Sequence, residues 1–204
     1  MSLDSYANLK QAIERFSHRN DISDMLDDFI DLAENKIDNS LRLRSNELRA
    51  TASASTSERF LALPDRFLEM RRLSLISGTN TRDIEYKAPE ALRQSEYSGE
   101  PKFFTITSQI EFDRTPASAY TIEMSYYARL NPLSSSNTTN NVLTDYPNLY
   151  LYGALSELHR WARDEQTAVY YEQVFMGEIE KANYQDNRGR YGAAPTVGLE
   201  AWTP

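Results

Sequence analysis

Histidines and carboxylates are the side chains of this chain that could carry acid–base or metal chemistry. Cysteine is absent, which removes thiolate nucleophiles and most zinc sites. His18 and His159 are far apart and fall in unrelated predicted elements, so no histidine pair is indicated. The sequence contains no GxSxG, HExxH, GxGxxG or GxxxxGK[ST] motif. We therefore expect no nucleotide site, no cofactor and no metal centre.

Carboxylates are present in excess, since 30 acidic residues stand against 22 basic ones. A glycosidase needs two of them across a cleft, one kept protonated in an apolar pocket and one ionised. Glu157, four residues before Trp161 on a predicted helix, is the best candidate for the protonated role. An ordinary helix-surface residue explains Glu157 equally well. The prediction is that the chain is not an enzyme, with a carboxylate-based cell-wall hydrolase as the alternative of another class.

A row of carboxylates, Asp27, Asp31, Glu34 and Asp38, follows helical spacing and forms one strip of a predicted helix. Such a strip is ordinarily a solvated face. In a ring of copies with the strip inward, it would line a channel that double-stranded DNA could pass without specific binding, because like charge removes the counterion-release attraction. The net charge of −8 also argues against tight DNA wrapping.

Both ends of the chain show the apolar periodicity of helices. A short helix is predicted over residues 6–16, and a longer one over about 23–43 carries the acidic strip. Two further helices are predicted after Pro147 and Asp164, and they form a hairpin that packs on the first two. A helical bundle built from both chain ends follows.

The middle of the chain changes to short alternating or β-branched segments separated by turn-forming residues. Five or six strands are expected there, with one short helix at APEALRQSEY. The predicted fold class is therefore α+β. Its parts are N-terminal bundle helices (1–46), a small inserted antiparallel β domain (47–130), a polar loop with the C-terminal helical hairpin (131–187), and an extended C-terminal arm (188–204).

The predicted arm contains GRYGAAPTVGLEAWTP, whose three glycines, two prolines and lack of period exclude a continued helix. It carries more apolar side chains than a simple solvent-exposed linker, so we expect a partner to receive it. Ten of the 13 tyrosines lie from Tyr120 onward, which also favours an interaction protein.

Two observations bear on location. No apolar run approaches the roughly 20 residues of a membrane-spanning helix, so no membrane partner is expected. The opening MSLDSYANLKQAIERF has neither the basic start nor the apolar middle of a secretory signal peptide, so we expect synthesis without secretion.

Taken in order, the segments resemble the head-to-tail adaptor (connector) proteins of tailed bacteriophages, whose rings sit beneath the portal in short-tailed phages. The most specific piece is an asparagine-rich loop followed by L-x-x-x-P-x-L-Y-L-Y-G-A-L, from Leu143 to Leu155. The other similar pieces are YANLKQAIERF, DFIDLAENKIDNSLRLR, FLALPDRFLEMRRLSL, GEPKFFTI, YTIEMSYYARLNPLS, the helical stretch as far as EIEKAN, and RYGAAP.

The resemblance implies a homo-oligomeric ring, usually of twelve copies, that binds the portal protein, gives tail or nozzle proteins a platform and forms part of the channel for genome passage. It implies assembly in the host cytoplasm and a place at the head–tail interface of the virion. A cell-wall-degrading activity has been attributed within related adaptors. A head-completion or tail-terminator ring of a long-tailed phage is the structural alternative. RYGAAP corresponds to the start of the portal-directed arm, whose expected contact residues are Arg188, Arg190, Tyr191, Pro195, Leu199 and Trp202.

Overall fold

The computed structural model of the chain describes residues 3–190. The chain forms two compact units: a helical unit from Met1–Arg44 and Leu130–Pro204, and a β unit from Ser45–Arg129. Helices and antiparallel sheets occur in separate parts of the sequence, so the predicted α+β class is confirmed. None of the described helices is long and apolar enough to cross a membrane.

The helical unit has five α-helices among the described residues. Polar side chains begin several of them: Ser5 accepts the backbone N–H of Asn8, and Asp164 accepts that of Thr167. The helices are α1 (Tyr6–Ser17), α2 (Leu26–Ser40), α3 (Asn141–Asp145), α4 (Pro147–Trp161) and α5 (Glu165–Arg190).

The second predicted helix differs from the observed one at both ends. Residues Ser23–Met25 form a 3₁₀ turn, and the α-helix ends at Ser40 instead of near residue 43. Leu41 is extended, and both Leu41 and Leu43 are buried. Side chains two residues apart share a face only in extended chain, so burying both leucines requires the helix to stop before them.

The core of the helical unit surrounds α4, which packs against α1, α2, α3 and α5. Gly153 of α4 lies at the tightest crossing. A methyl group built on Gly153 would stand 3.0 Å from Cβ of Ala33 and 3.3 Å from Cε2 of Phe175. Gly177 of α5 has no heavy atom within 4 Å of the corresponding position. Only the first glycine therefore has a packing role within the subunit.

We predict that Gly153→Ala and Gly177→Ala change stability in opposite directions. At Gly177 the added methyl group removes a helix penalty of about 0.5–1 kcal/mol and meets nothing. At Gly153 the rigid Cβ of Ala33 forces α2 and α4 apart, which costs about 1–3 kcal/mol. Urea unfolding of both variants measures this, and stabilisation by Gly153→Ala would contradict the tight crossing.

The β unit contains two four-stranded sheets. Their facing sides bury an apolar core that includes Leu73, Leu75, Phe104, Phe112 and Ile122. The first sheet has the order β1-β8-β3-β4, with β1 (Glu47–Ser53), β8 (Thr121–Ala128), β3 (Phe67–Ser77) and β4 (Asn80–Asp83). The second has the order β2-β7-β6-β5, with β2 (Phe60–Leu61), β7 (Ile110–Phe112), β6 (Phe103–Ile106) and β5 (Glu85–Tyr86).

Three details of the predicted β domain differ from the structure. Eight strands are present instead of five or six, and β5 pairs with β6 in parallel. The helix expected at APEALRQSEY is a single 3₁₀ turn, Pro89–Ala91. Residues 88–91 are all exposed, so this segment has no apolar face whose burial would stabilise a longer helix.

Candidate functional site

The four carboxylates of the predicted acidic strip lie in different environments. Asp27 is exposed and accepts hydrogen bonds from the Tyr6 hydroxyl (2.5 Å) and the Lys10 ammonium (2.6 Å). Asp31 is also exposed. Glu34 is only 7% exposed, so the predicted solvated strip does not extend to this residue. A continuous channel-facing row of four is thus not what the helix presents.

Glu34 and Asp38 point inward because they bind backbone N–H groups of the segment that returns from the β unit. Glu34 Oε1 accepts the N–H of Leu133 at 2.8 Å, and Asp38 Oδ1 accepts that of Leu130 at 2.8 Å. Irregular backbone entering a core leaves N–H groups without helix or sheet partners. The two carboxylates satisfy these donors.

The segment that leads from α2 to the β unit is bound in the same way by side chains of α5. Asn183 Oδ1 accepts the N–H of Arg42 at 3.0 Å. Asp186 accepts the N–H of Arg44 at 3.1 Å through one oxygen and the Arg44 guanidinium at 3.1 Å through the other. Side chains of α2 and α5 therefore anchor both connections within the helical unit.

The pKa of Glu34 is raised to about 7, mainly by burial and to a smaller extent by the nearby charges of Asp31 and Asp38. The hydrogen bonds from Leu133 and the Tyr150 hydroxyl (3.0 Å) oppose this rise without cancelling it. The protonation state of the Glu34 carboxyl group therefore changes with pH near neutrality. Burial likewise raises the pKa of Tyr150.

Two residues of this network were not singled out from the sequence. Tyr150 is fully buried, and its hydroxyl oxygen accepts a hydrogen bond from the Asn140 amide at 2.7 Å. Asn140 Oδ1 also caps α3 by accepting the N–H of Leu143 at 2.9 Å. The available signal was the end of the polar loop directly before the L-x-x-x-P-x-L-Y motif.

We predict that Glu34→Gln weakens the pH dependence of stability. The folded-state pKa of Glu34 lies above the ordinary value of 4.5. The protonation-linked stability is therefore fully present below that value and is lost as pH rises toward about 7. Glutamine keeps an acceptor for Leu133 and cannot ionise. Between about pH 5 and pH 8 the wild type should lose on the order of 2 kcal/mol relative to the variant.

Melting temperatures of both proteins across this pH range provide the measurement. Both histidines are present in both proteins, so the difference between the curves isolates Glu34. Parallel curves would show that the carboxyl group is not protonated more readily in the folded state.

The hydrolase candidate Glu157 belongs to an ion-pair cluster. Its side chain is 12% exposed and lies 2.6 Å from the Lys36 ammonium and 2.6 Å from the Arg160 guanidinium. Lys36 also contacts Glu172 and donates to the Ser156 hydroxyl at 2.9 Å. Burial opposes ionisation of Glu172, but the Lys36 hydrogen bond and charge lower its pKa overall.

This cluster does not resemble the site of a glycosidase acid. Such an acid keeps its proton in an apolar pocket, whereas Glu157 contacts two cationic groups. The cluster joins α2, α4 and α5 and so has a structural explanation.

Each of the two histidines also has a position that a structural role explains. His18 ends α1 in the left-handed conformation, and His159 stacks on Tyr171 with ring centroids 5.4 Å apart. Within residues 3–190, no group of three or more His, Asp or Glu side chains is arranged to hold a metal ion.

The surface of α5 that faces away from the core carries several exposed apolar side chains among polar ones such as Gln173 and Glu180. The buried side is formed by Ala168, Phe175, Ile179 and Ala182. The opposite side, which we call the α5 outer face, exposes Val169, Tyr170, Met176 and Tyr184, with Gly177 between them. Exposed apolar surface of this kind is typical of interaction sites.

A second exposed apolar patch, the Trp161 groove, lies where α2 meets α4. Four apolar residues and three charged ones line a groove of about 440 Å³: Met25, Phe29, Leu32 and Trp161, with Asp28, Glu157 and Arg160. The Arg19 guanidinium covers the Trp161 ring at 5.2 Å. The helical unit therefore carries two distinct patches, one on α5 and one between α2 and α4.

Residues 188–190, which were predicted to belong to the extended arm, are helical. Helix α5 continues through Arg190, and the Gly189 carbonyl accepts a hydrogen bond from Arg44 at 3.1 Å. Arg188 is thus helical, and its guanidinium lies 5.9 Å from the Tyr184 ring. The remaining expected contact residues, Tyr191, Pro195, Leu199 and Trp202, lie outside the described residues.

Comparison with protein-family models found a match over nearly the whole chain. A family model described as SU10 adaptor protein matches residues 4–198, which includes the whole β unit and nearly all of the helical unit. No curated protein matches the chain.

Proposed function

Because the chain belongs to the SU10 adaptor protein family, we propose that it is a head-to-tail adaptor whose copies form a closed ring on the portal of a tailed bacteriophage. The family supports a structural virion protein located at the neck. The family match over residues 4–198 is the observation that carries the proposal. Ring formation, a stoichiometry of twelve and portal binding are the finer parts of it.

The two apolar patches of the helical unit support a ring. A closed ring of more than two copies uses a head-to-tail interface, in which each subunit offers two different surfaces to its two neighbours. The α5 outer face and the Trp161 groove are two such surfaces. Their exposed aromatic and methionine side chains are of the types enriched in interfaces.

The channel part of the proposal rests on charge. Asp27 and Asp31 stay exposed on α2, whereas Glu34 and Asp38 bind backbone groups. We place the exposed pair at the channel wall, where like charge lets double-stranded DNA pass without specific binding. The net charge of −8 acts in the same direction.

The remaining proposed partners are those that the family resemblance implies. The β unit is proposed as the platform for tail or nozzle proteins, and the chain after Arg190 as the portal-directed arm. The boundaries proposed for these parts are residues 47–130 for the platform and 191–204 for the arm, with 1–46 and 131–190 forming the bundle, because residues 188–190 belong to α5. Assembly takes place in the host cytoplasm before the subunits join the virion.

No hydrolase activity is part of the proposed function. The family is structural, and the best candidate acid, Glu157, is paired with Lys36 and Arg160. Incubation with purified peptidoglycan tests this directly. Turnover that disappears in a folded Glu157→Gln variant would move the chain to the enzyme class.

Co-sedimentation with purified portal rings tests the proposed function. We expect the protein to pellet with the portal in a fixed molar ratio that saturates. Portal rings of an unrelated phage serve as the control. Failure to sediment with the cognate portal, or equal sedimentation with both portals, would contradict adaptor function.

A further inference from the structure

The four-stranded sheet β1-β8-β3-β4 ends in two strands whose outer edges pair with no strand of the described chain. β1 pairs only with β8, through a continuous register without a bulge. β4 pairs only with β3. The β1 sequence, ELRATAS, contains neither proline nor lysine, which are common means of preventing edge-to-edge pairing. Both edges are therefore open to another strand.

One hydrogen bond shows which residues of β1 direct their backbone groups to its open edge. The N–H of Ala54 donates to the carbonyl of Tyr120 at 2.8 Å, so Ala54 faces β8. Backbone groups of successive residues in an antiparallel strand point to alternate sides. Those of Arg49 and Thr51 consequently point away from β8, toward the open edge.

The same reasoning applies to β4. The N–H of Ile84 donates to the carbonyl of Leu73 at 2.9 Å, so Ile84 faces β3. Backbone groups of Thr81 and Asp83 therefore point toward the open edge of β4.

The directions of the strands allow the sheet to continue from one copy to the next. All three neighbouring pairs in this sheet are antiparallel, so β4 runs opposite to β1. The β1 strand of a second copy placed beside β4 is then antiparallel to it. Asp83 opposite Arg49 and Thr81 opposite Thr51 bring together residues whose backbone groups all face the shared edge, as a hydrogen-bonded antiparallel ladder requires.

Side-chain charge selects this register. Asp83 shares a face of the sheet with Ser74, to which it is hydrogen-bonded at 2.8 Å, and the cross-strand row continues through Glu123 to Thr51. Arg49 lies on that face too, since it contacts Glu123 at 3.8 Å, and its side chain is 79% exposed. Asp83 also accepts a hydrogen bond from the guanidinium of Arg72 in its own subunit at 2.8 Å. Arg49 of the neighbour adds a second cation beside this carboxylate, and opposite charges across strands are stabilising.

Two registers shifted by two residues also keep the backbone groups matched. One places Asp83 opposite Thr51 and lacks the ion pair, and the other places Asp83 opposite Glu47. That arrangement opposes like charges. The remaining pair in the favoured register joins two threonines, a pairing that suits adjacent strands.

From these observations we propose that β4 of one subunit pairs with β1 of its neighbour, so that the sheet continues around the ring. The inference rests on the proposed function, since a head-to-tail ring gives each subunit one neighbour at each edge. Four residues of β4 provide a short ladder. This ladder sets the register between neighbouring β units.

Cysteine pairing tests the ladder, because the chain contains no cysteine of its own. Thr51→Cys and Thr81→Cys are prepared as separate variants, assembled with portal rings alone or mixed, and oxidised. Residues opposite each other in a hydrogen-bonded pair are about 5.5 Å apart between Cα atoms, within disulfide range. Within one subunit, three strand spacings of about 4.8 Å separate β1 from β4, so a bond inside one chain is excluded.

We expect disulfide-linked dimers on a non-reducing gel when the two variants are mixed, and none when either is used alone. The double variant should give a ladder of multimers. Thr107→Cys, an exposed position in a turn of the other sheet, mixed with Thr51→Cys controls for random collision.

Mass measurement before oxidation separates the two proposals. A full ring that yields no mixed dimer overturns the strand pairing and leaves the adaptor ring intact. Dimers from Thr51→Cys alone indicate two-fold β1–β1 pairing and also overturn it. Absence of any ring on the portal overturns both.

Discussion

A chain that ends at Arg190 is expected to fold as the full-length protein does and to lose docking to the portal. Every described core residue of α5 precedes this cut, including Phe175, Ile179 and Ala182. The removed segment carries Tyr191, Leu199 and Trp202. One aromatic side chain buried at an interface centre contributes about 2 kcal/mol or more.

Association costs translational, rotational and side-chain freedom, so one arm alone should bind weakly. Several arms presented together by a ring act at high effective concentration, and their joint loss should reduce docking by at least 100-fold, in line with the roughly 10²–10⁴-fold gain of multivalent binding. The structure places the cut after Arg190 and not after Asn187, because residues 188–190 belong to α5 and Gly189 contacts Arg44.

Thermal unfolding measures stability of the truncated and full-length proteins, and co-sedimentation with portal rings measures docking. Trp202→Ala should weaken docking in the full chain, with Thr196→Ala as the matched control in the same segment. A truncated protein that docks normally would place the portal contact elsewhere in the chain.

Phe175→Ala is expected to destabilise the helical unit by about 3–5 kcal/mol, the usual cost of deleting a buried aromatic ring. Phe175 is 1% exposed and lies at the crossing of α4 and α5, next to Gly153. The Lys36 ammonium also lies 5.8 Å from its ring centroid. The cavity left by alanine would remove contacts to both neighbouring helices.

Met176→Ala is the matched control, since Met176 is the next residue of α5 and is 43% exposed on the outer face. In the protein without portal it should change stability by no more than about 0.5 kcal/mol. Urea unfolding followed by helical circular dichroism measures both variants. Similar losses in the two would show that α5 does not pack on the side described.

The helices were predictable because their apolar residues repeat with helical period. Helices were predicted after Pro147 and Asp164, and α4 and α5 occupy these stretches, with Asp164 capping α5. The ends of α2 were not predictable in the same way. Whether Leu41 continues the helix depends on burying Leu43 at the same time, which is a property of the whole core.

Glu34 illustrates why the candidate site was only partly predictable. Helical spacing assigns it to the acidic strip, but its partners Leu133 and Tyr150 lie 99 and 116 residues away in the chain. No local sequence pattern indicates that a carboxyl group binds backbone N–H groups of so distant a segment. The same holds for Lys36, whose partner Glu172 lies 136 residues further along.

The β unit was predictable in character and not in detail. Its alternating segments indicated strands, yet β2 and β5 are two residues long and depend on their neighbours. Such short strands have little intrinsic preference, so whether they form depends on pairing with their neighbours β7 and β6 in the same sheet. The order β1-β8-β3-β4, on which the open edges depend, likewise follows from long-range pairing.

Electron microscopy of the purified protein mixed with its cognate portal tests the adaptor assignment most directly. We expect class averages with a closed ring of copies at one end of the portal, usually twelve in number, and a central channel continuous with that of the portal. Portal particles that remain bare, or that carry single copies without ring closure, would contradict the account.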